Sequence, residues 1–149
     1  MDRLLCKRCS KEVHQGRGDY YFVRIDAVAD PEPPVFTEDD LARTLFGPDA
    51  VIYDSVVEDG NGGLAGHALW FRTFSTFLGK TGIWLEDLYV RPDHRRQGYA
   101  SDLLAHLRAQ TDGRLEWEVL EWNQPAMDFY QGLGARPMAG WTRYRWYEG

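Results

Sequence analysis

"RPDHRRQGYASDLL" (residues 91–104) joins a proline turn, a run of cations, one glycine and the start of an apolar periodic segment. Ala100, Leu103, Leu104 and Leu107 fall at i, i+3, i+4 and i+7, which predicts a helix over 98–110 with one apolar stripe. The start of a helix presents unpaired backbone N–H groups and a partial positive charge, and both attract phosphate. Gly98 permits close backbone approach or positive φ, Ala100 keeps the first turn uncluttered, and Arg95 and Arg96 add charge. A solubly charged helix entrance has the same composition, so the neighbouring segments must decide.

Immediately upstream, "GIWLEDLYV" (82–90) reads as a strand that Arg91-Pro92 ends. Before it, "AVIYDSVVED" (50–59) and "LAGHALWFRTF" (64–74) read as strands joined by the turn "GNGG", an antiparallel hairpin. "TEDDLARTLFG" (37–47) reads as a short helix with Thr37 as N-cap, acids in its first turn and Gly47-Pro48 at its end. Downstream, "RLEWEVLEW" (114–122) is a further strand. "NQPAMDFYQGLG" (123–134) is a short helix with Asn123 as N-cap and Pro125 in the first turn, and "GWTRYRWYE" (140–148) is strand-like. A hairpin followed by strand-helix-strand-helix implies a mixed α/β sheet.

At 149 residues, with 44% apolar and 14% aromatic residues, the chain fits one domain with a substantial core. The net charge of −6 argues against nonspecific nucleic-acid binding, and no apolar run approaches a bilayer-spanning length. The N-terminus lacks a secretory apolar region, so a soluble, cytoplasmic protein with neither nucleic-acid nor membrane partners is expected. Residues 1–34 differ in character. "DYYFVRIDAVA" (19–29) reads as a strand and "DPEPP" (30–34) as a stiff linker. Both cysteines lie in "LCKRCSKEVH" (5–14). Cys6 and Cys9 with His14 make three zinc candidates, too few for a closed local site, so the expectation is no metal and two reduced thiols.

"RRQGYA" (95–100) matches the Arg/Gln-x-x-Gly-x-Gly/Ala signature of the GNAT acetyltransferases, placed between a strand and a helix as in that family. "LEDLYV" (85–90) resembles the family's central strand, and "EWNQPAMDFYQGLGA" (121–135) its later strand-helix segment. The likeness is closest to the branch that acetylates diamines (spermidine and spermine) and thialysine, and "VFTEDDLARTLFG" (35–47) extends it over residues 35–149. The resemblance implies a mixed, mostly antiparallel twisted sheet with flanking helices and a parallel strand pair split by the coenzyme A site. Residues 1–34 then form an atypical N-terminal segment ahead of a domain spanning 35–149.

By that likeness acetyl-CoA is the co-substrate. Arg95, Arg96, Gln97, Gly98, Tyr99, Ala100 and Ser101 would hold its pyrophosphate. Leu88, Tyr89 and Val90 would pair with the pantetheine arm, the N–H of Leu88 polarising the thioester carbonyl. Asn123, Ala126 and Tyr130 would line the opposite wall. The implied reaction is direct attack of a neutral amine within a ternary complex, with Glu86 as base and Tyr130 as general acid near sulfur. Asn123 and Tyr130 are seven apart and project from nearly the same helix face. Without the likeness, the residues alone favour reading Tyr130 as an amphipathic tyrosine capping the core beside Phe129.

Glu86 and Asp87 are adjacent carboxylates in an apolar strand, which calls for an explanation beyond solubility. Alternation puts Glu86, Leu88 and Val90 on one side and Asp87 on the other, unless a bulge shifts the phase. Glu86, Asp87, Glu116 and Glu118 are the candidate contacts for a cationic acceptor. The family's first strand and helix are not recognisable, and the sheet surface this would expose favours a homodimer. Ser75 in "FSTFLGK" and the short "GARPMAGW" (134–141) lack the acids that the diamine branch carries there, so a small amine or a lysine-like amino acid fits as well as a polyamine. The alternatives are an acyl-CoA-binding regulator or inactive relative, with a zinc- or thiol-bearing N-terminal partner module, and a protein N-acetyltransferase.

Overall fold

Thr37 opens the first long element with a full capping box. Its hydroxyl accepts from the Asp40 N–H at 3.2 Å, and the Asp40 carboxylate accepts from the Thr37 N–H at 2.8 Å. Helix α1 (Glu38–Phe46) follows, with three acids in its first turn, and Gly47 ends it. These coordinates are a computed structural model, which describes Leu4–Leu5, Glu12–Val13 and residues 37–146. Cys6, Cys9, His14 and the expected strand at 19–29 lie outside the described residues. Strands β1 (Leu4–Leu5) and β2 (Glu12–Val13) pair antiparallel.

The main sheet has the order β3 (Ile52–Glu58), β4 (Leu64–Ser75), β5 (Lys80–Val90), β6 (Leu115–Glu116). The first three strands are antiparallel neighbours, and β6 joins β5 in parallel. This is the mixed sheet expected. The β3–β4 turn closes as its glycines require, with Gly62 at φ 81°. Cross-strand partners share a face. One face carries the rows Tyr53–Trp70–Leu85 and Ser55–Ala68–Leu88. It holds the core: Ala68, Trp70, Ile83 and Leu85 are buried, under Leu103, Leu104 and Leu107 of α2 (Tyr99–Arg108). The other face carries Ile52–Phe71–Trp84, Asp54–Leu69–Asp87 and Val56–His67–Tyr89.

Three expectations change. The strand read over 114–122 is only Leu115–Glu116, pairing with Ile83 and Trp84. The pairing stops at Trp84 despite the high strand propensity of the Trp/Glu-rich run, and β5 carries its bulge shortly beyond, at Glu86. The strand-like 141–146 is neither helix nor strand, and Trp141, Tyr144 and Trp146 are exposed. The alternation along β5 also fails, as described below. The chain divides into two compact units, residues 1–118 and 119–149. Within the second, α3 (Gln124–Gly132) forms as expected, with Asn123 capping it and Pro125 in its first turn.

Candidate active site

The loop from β5 to α2 is built to leave backbone donors free. The Arg91 N–H donates to the Ala65 carbonyl at 2.9 Å, a 3-10 turn covers Pro92–His94, and Arg95 Nε donates to the Val90 carbonyl at 3.0 Å. Arg95 thus fastens the loop while Arg96 and Gln97 stand exposed. Arg96 and Gly98 both lie in the left-handed region, at φ 62° and 93°. Such a conformation costs an arginine about 1–2 kcal/mol, strain of the kind found where a loop serves a ligand. The two left-handed residues curl the chain into a concave run of N–H groups, a nest for anions. Among the described residues, no backbone carbonyl accepts from Gln97, Gly98, Tyr99, Ala100 or Ser101; the first bond of α2 is Asp102 N–H to Gly98 O at 3.0 Å. A Cβ at Gly98 would meet nothing within 4 Å. The space before the helix is open, and the donors in it suit a diphosphate.

His94 ties this loop to the β3–β4 turn. Its Nε2 lies 3.1 Å from Asp59 Oδ2 and its Nδ1 2.9 Å from Asp93 Oδ1. Asp59 is itself held by the N–H groups of Asn61 and Gly63, both at 2.8 Å. Hydrogen bonds to Asp93 and then Asp59 raise the His94 pKa above 6.5. Asp59 is lowered below 3.8, first by the Gly63 and Asn61 N–H groups and then by His94. The His94 contribution is therefore complete below pH 6.5 and fades as pH rises through its raised value. The Asp59 contribution is complete above pH 3.8 and fades as pH falls through its lowered value. The melting temperature should be highest between those limits and fall on the alkaline side. His94→Gln should flatten that alkaline fall, read by thermal melts from pH 5 to 9; an unchanged slope rules out the clamp.

The β4–β5 register places Leu69 opposite Asp87 and Trp70 opposite Leu85, which leaves Glu86 as an extra residue, a β-bulge. Glu86 is exposed, and its Oε2 accepts from Trp84 Nε1 at 2.9 Å. Trp84 and Asp87 belong to the same sheet face by their partners Phe71 and Leu69. The bulge therefore gathers Glu86 and Asp87 on one face, where simple alternation separated them. Asp87 is half-buried; burial raises its pKa above 3.8, helped by the charges of Glu86 and Asp54 and opposed by His67. Leu88, Tyr89 and Val90 are half-buried and pair with Ala68, His67 and Gly66 of β4. Since β6 reaches only Ile83 and Trp84, β5 past Leu85 has no β6 partner. Glu116 is half-buried opposite Trp84, and Glu118 is exposed just past β6.

In the second unit, Asn123 Oδ1 accepts from the Ala126 N–H at 3.3 Å, so that donor is used in capping α3. Tyr130 is half-buried, its ring 5.3 Å from that of Phe129, and burial raises its phenol above 10.0. Two further residues of the carboxylate face, Asp54 and His67, belong to no sequence motif. Asp54 and His67 bond at 3.0 Å on the sheet face that also carries Asp87, and the sequence signal for His67 is a lone polar residue inside the apolar run "LAGHALWF".

A model of the acetyltransferase (GNAT) family matches residues 12–135. The chain belongs to the GNAT family. Among curated GNAT relatives, it is 36% identical over 111 residues to an L-ornithine N5-acetyltransferase of Arabidopsis thaliana, covering 72% of this chain and 45% of the relative. It is 38% identical over 89 residues to a thialysine N-epsilon-acetyltransferase of Bos taurus, covering 55% and 52%. The chain thus spans about half the length of these relatives. A solved integron cassette protein from the mobile metagenome of V. cholerae has the same fold, with a TM-score of 0.65 at 24% identity over 76% of this chain and 74% of that one.

Proposed function

We propose that this protein is an acetyl-CoA-dependent N-acetyltransferase acting on a primary amine of a small molecule: a polyamine, a diamine or a lysine-like amino acid. The observation that carries the reading is the left-handed pair Arg96 and Gly98, set between a β5 bulge that gathers two carboxylates and the free N–H groups of α2. Family membership and the named substrates of the relatives, ornithine and thialysine, support the amine acceptor.

In this reading the N–H groups of Gln97 to Ser101 hold the diphosphate, with charge from Arg95 and Arg96. Leu88, Tyr89 and Val90 offer backbone to the pantetheine arm. Bound acetyl-CoA supplies the activated acetyl group. Glu86, exposed and oriented by Trp84, receives the proton that the attacking ammonium must lose. Asp87 draws the cationic acceptor, with Glu116 and Glu118 as further acidic contacts. Tyr130, a phenol protonated throughout the neutral range, donates to the departing thiolate. Asn123 lies at the start of the helix that carries it. Exposed Phe74, Phe77 and Leu78 at the β4–β5 hairpin support the homodimer as part of this proposal.

Thiol release from acetyl-CoA tests the reading, with putrescine, spermidine, lysine, ornithine and thialysine as acceptors. Turnover with at least one of these is expected. Tight coenzyme A binding without turnover on any amine would favour a regulator, and turnover only on peptide N-termini a protein acetyltransferase.

A further inference from the structure

His94 joins three segments. Its Nε2 lies 3.1 Å from Asp59 Oδ2 in the β3–β4 turn, and its Nδ1 lies 2.9 Å from Asp93 Oδ1 in the 3-10 turn. Its ring is 6.1 Å from the ring of Tyr99, the first residue of α2. The His94 and Asp59 side chains are only 17% and 20% exposed. Two carboxylates on one imidazole fix its charge by valence. A neutral ring has one N–H and one lone pair, and that lone pair would face an acceptor; only an imidazolium donates from both nitrogens. Asp59 Oδ1 also accepts the N–H groups of Asn61 and Gly63, which favours the ionised carboxylate. The observed geometry therefore belongs to the charged ring.

The same loop carries the anion cradle. Asp93 sits two residues before Arg95, its carbonyl accepts from Gln97 Nε2 at 3.2 Å, and its carboxylate faces Arg91 Nε at 3.5 Å. A carboxylate at the base of a diphosphate loop opposes binding unless a cation covers it. Among the described residues, the charged and titratable groups around the ring are Asp59 from the β3–β4 turn, Asp93 and Arg91 from its own loop, and Tyr99 from α2. Glu58 ends β3 next to Asp59, and Arg95 follows the ring with its Nε on the Val90 carbonyl. When the ring loses its proton, one carboxylate loses its donor and the local charge falls by one. The loop is then less firmly tied to the β3–β4 turn, and it repels an anion more.

We infer that His94 is a positioning residue for the coenzyme cradle, and that its imidazolium, by holding Asp59 and Asp93 together under the loop, makes diphosphate binding depend on pH. The inference rests on the coenzyme reading above and deepens it. Below the pKa of the ring the clamp is whole and the cradle is preformed. As pH rises through that pKa the clamp opens and affinity falls. Both carboxylates hold the value above 6.5, Asp93 first and then Asp59, so the fall lies above that pH. A bound diphosphate adds negative charge over the same loop and favours the imidazolium further, so binding and protonation reinforce each other.

Calorimetric titration of the whole protein from pH 6 to 9 tests this, with the S-methyl thioether of dephospho-CoA as probe. The probe keeps the diphosphate but has neither the 3′-phosphate nor a free thiol, so it carries no group that titrates over that range. Wild-type affinity should fall about fivefold or more as pH rises. In His94→Gln affinity should be weak and constant within about twofold, because glutamine cannot take up a charge. Asp59→Asn removes one of the two carboxylates and should move the midpoint of the fall down by about half to one pH unit. It serves if His94→Gln does not fold, which thermal melts decide. A clamp that serves stability alone shifts the melting temperature and leaves the affinity flat with pH. A flat wild-type profile, a fall that persists in folded His94→Gln, or an unmoved midpoint in folded Asp59→Asn overturns the inference. If wild type binds the probe at no pH, the coenzyme reading fails and the inference with it; binding that is merely independent of pH sinks the inference alone.

Discussion

Gly98→Val is expected to weaken coenzyme A binding by about 30-fold or more, a loss of about 2 kcal/mol. Gly98 sits at φ 93°, well outside the range a β-branched residue accepts. Holding valine there costs on the order of 1–2 kcal/mol, and relaxing it instead turns the N–H groups of Tyr99 and Ala100 off their common target. The added side chain also projects into open space before α2, since nothing of the protein lies within 4 Å of a Cβ at this position. The penalty therefore falls on the ligand and not on packing. Calorimetric titration with coenzyme A reads the affinity, and a thermal melt checks that the fold persists. Affinity within twofold of wild type in a folded Gly98→Val protein would falsify the diphosphate cradle. The complementary Arg96→Gly variant should gain stability by relieving the left-handed strain at φ 62°, while losing one charge from the same loop.

What could be read from the residues follows from how local each determinant is. The Thr37 cap, the "GNGG" turn, the apolar stripe of α2 and the Asn123-Gln124-Pro125 helix start each depend on a few adjacent residues, and each formed as expected. The bulge at Glu86 depends instead on the count of residues in two strands at once: β5 carries one more than β4 between the pairs Leu69–Asp87 and Trp70–Leu85. No residue type in "WLEDLYV" announces it. Its consequence for the site is large, because it moves Glu86 onto the face of Asp87.

The short β6 has the same origin. "LEWEVLEW" has ample strand propensity, yet parallel pairing requires a partner edge, and β5 supplies one only at Ile83 and Trp84. In the anion loop, glycine at 98 signalled a left-handed residue. Arginine at 96 gave no such signal, because its conformation is imposed by the anchors around it: the Arg91 N–H on Ala65 and the Arg95 side chain on Val90. His67 was legible only as an oddity in an apolar strand, and its bond to Asp54 needs the β3–β4 register to be seen.

Tyr130→Phe should slow acetyl transfer at least about tenfold, with acetyl-CoA affinity nearly unchanged. The variant removes one oxygen and keeps the ring, so the 5.3 Å packing against Phe129 survives. The sign of the pH dependence follows from protonation. Burial raises the phenol above 10.0, so the donor form is complete through the neutral range and is lost only as pH rises past that value. The wild-type rate should therefore hold on the alkaline side until above pH 10. In Tyr130→Phe, water must protonate the leaving thiolate, and the deficit should be the same at pH 7 and pH 9. An amphipathic tyrosine that merely caps the core makes a different prediction: a change within about twofold at every pH, accompanied by whatever the lost hydroxyl does to the melting temperature. Single-turnover rates with a saturating amine separate the two outcomes, because they read the chemical step without product release.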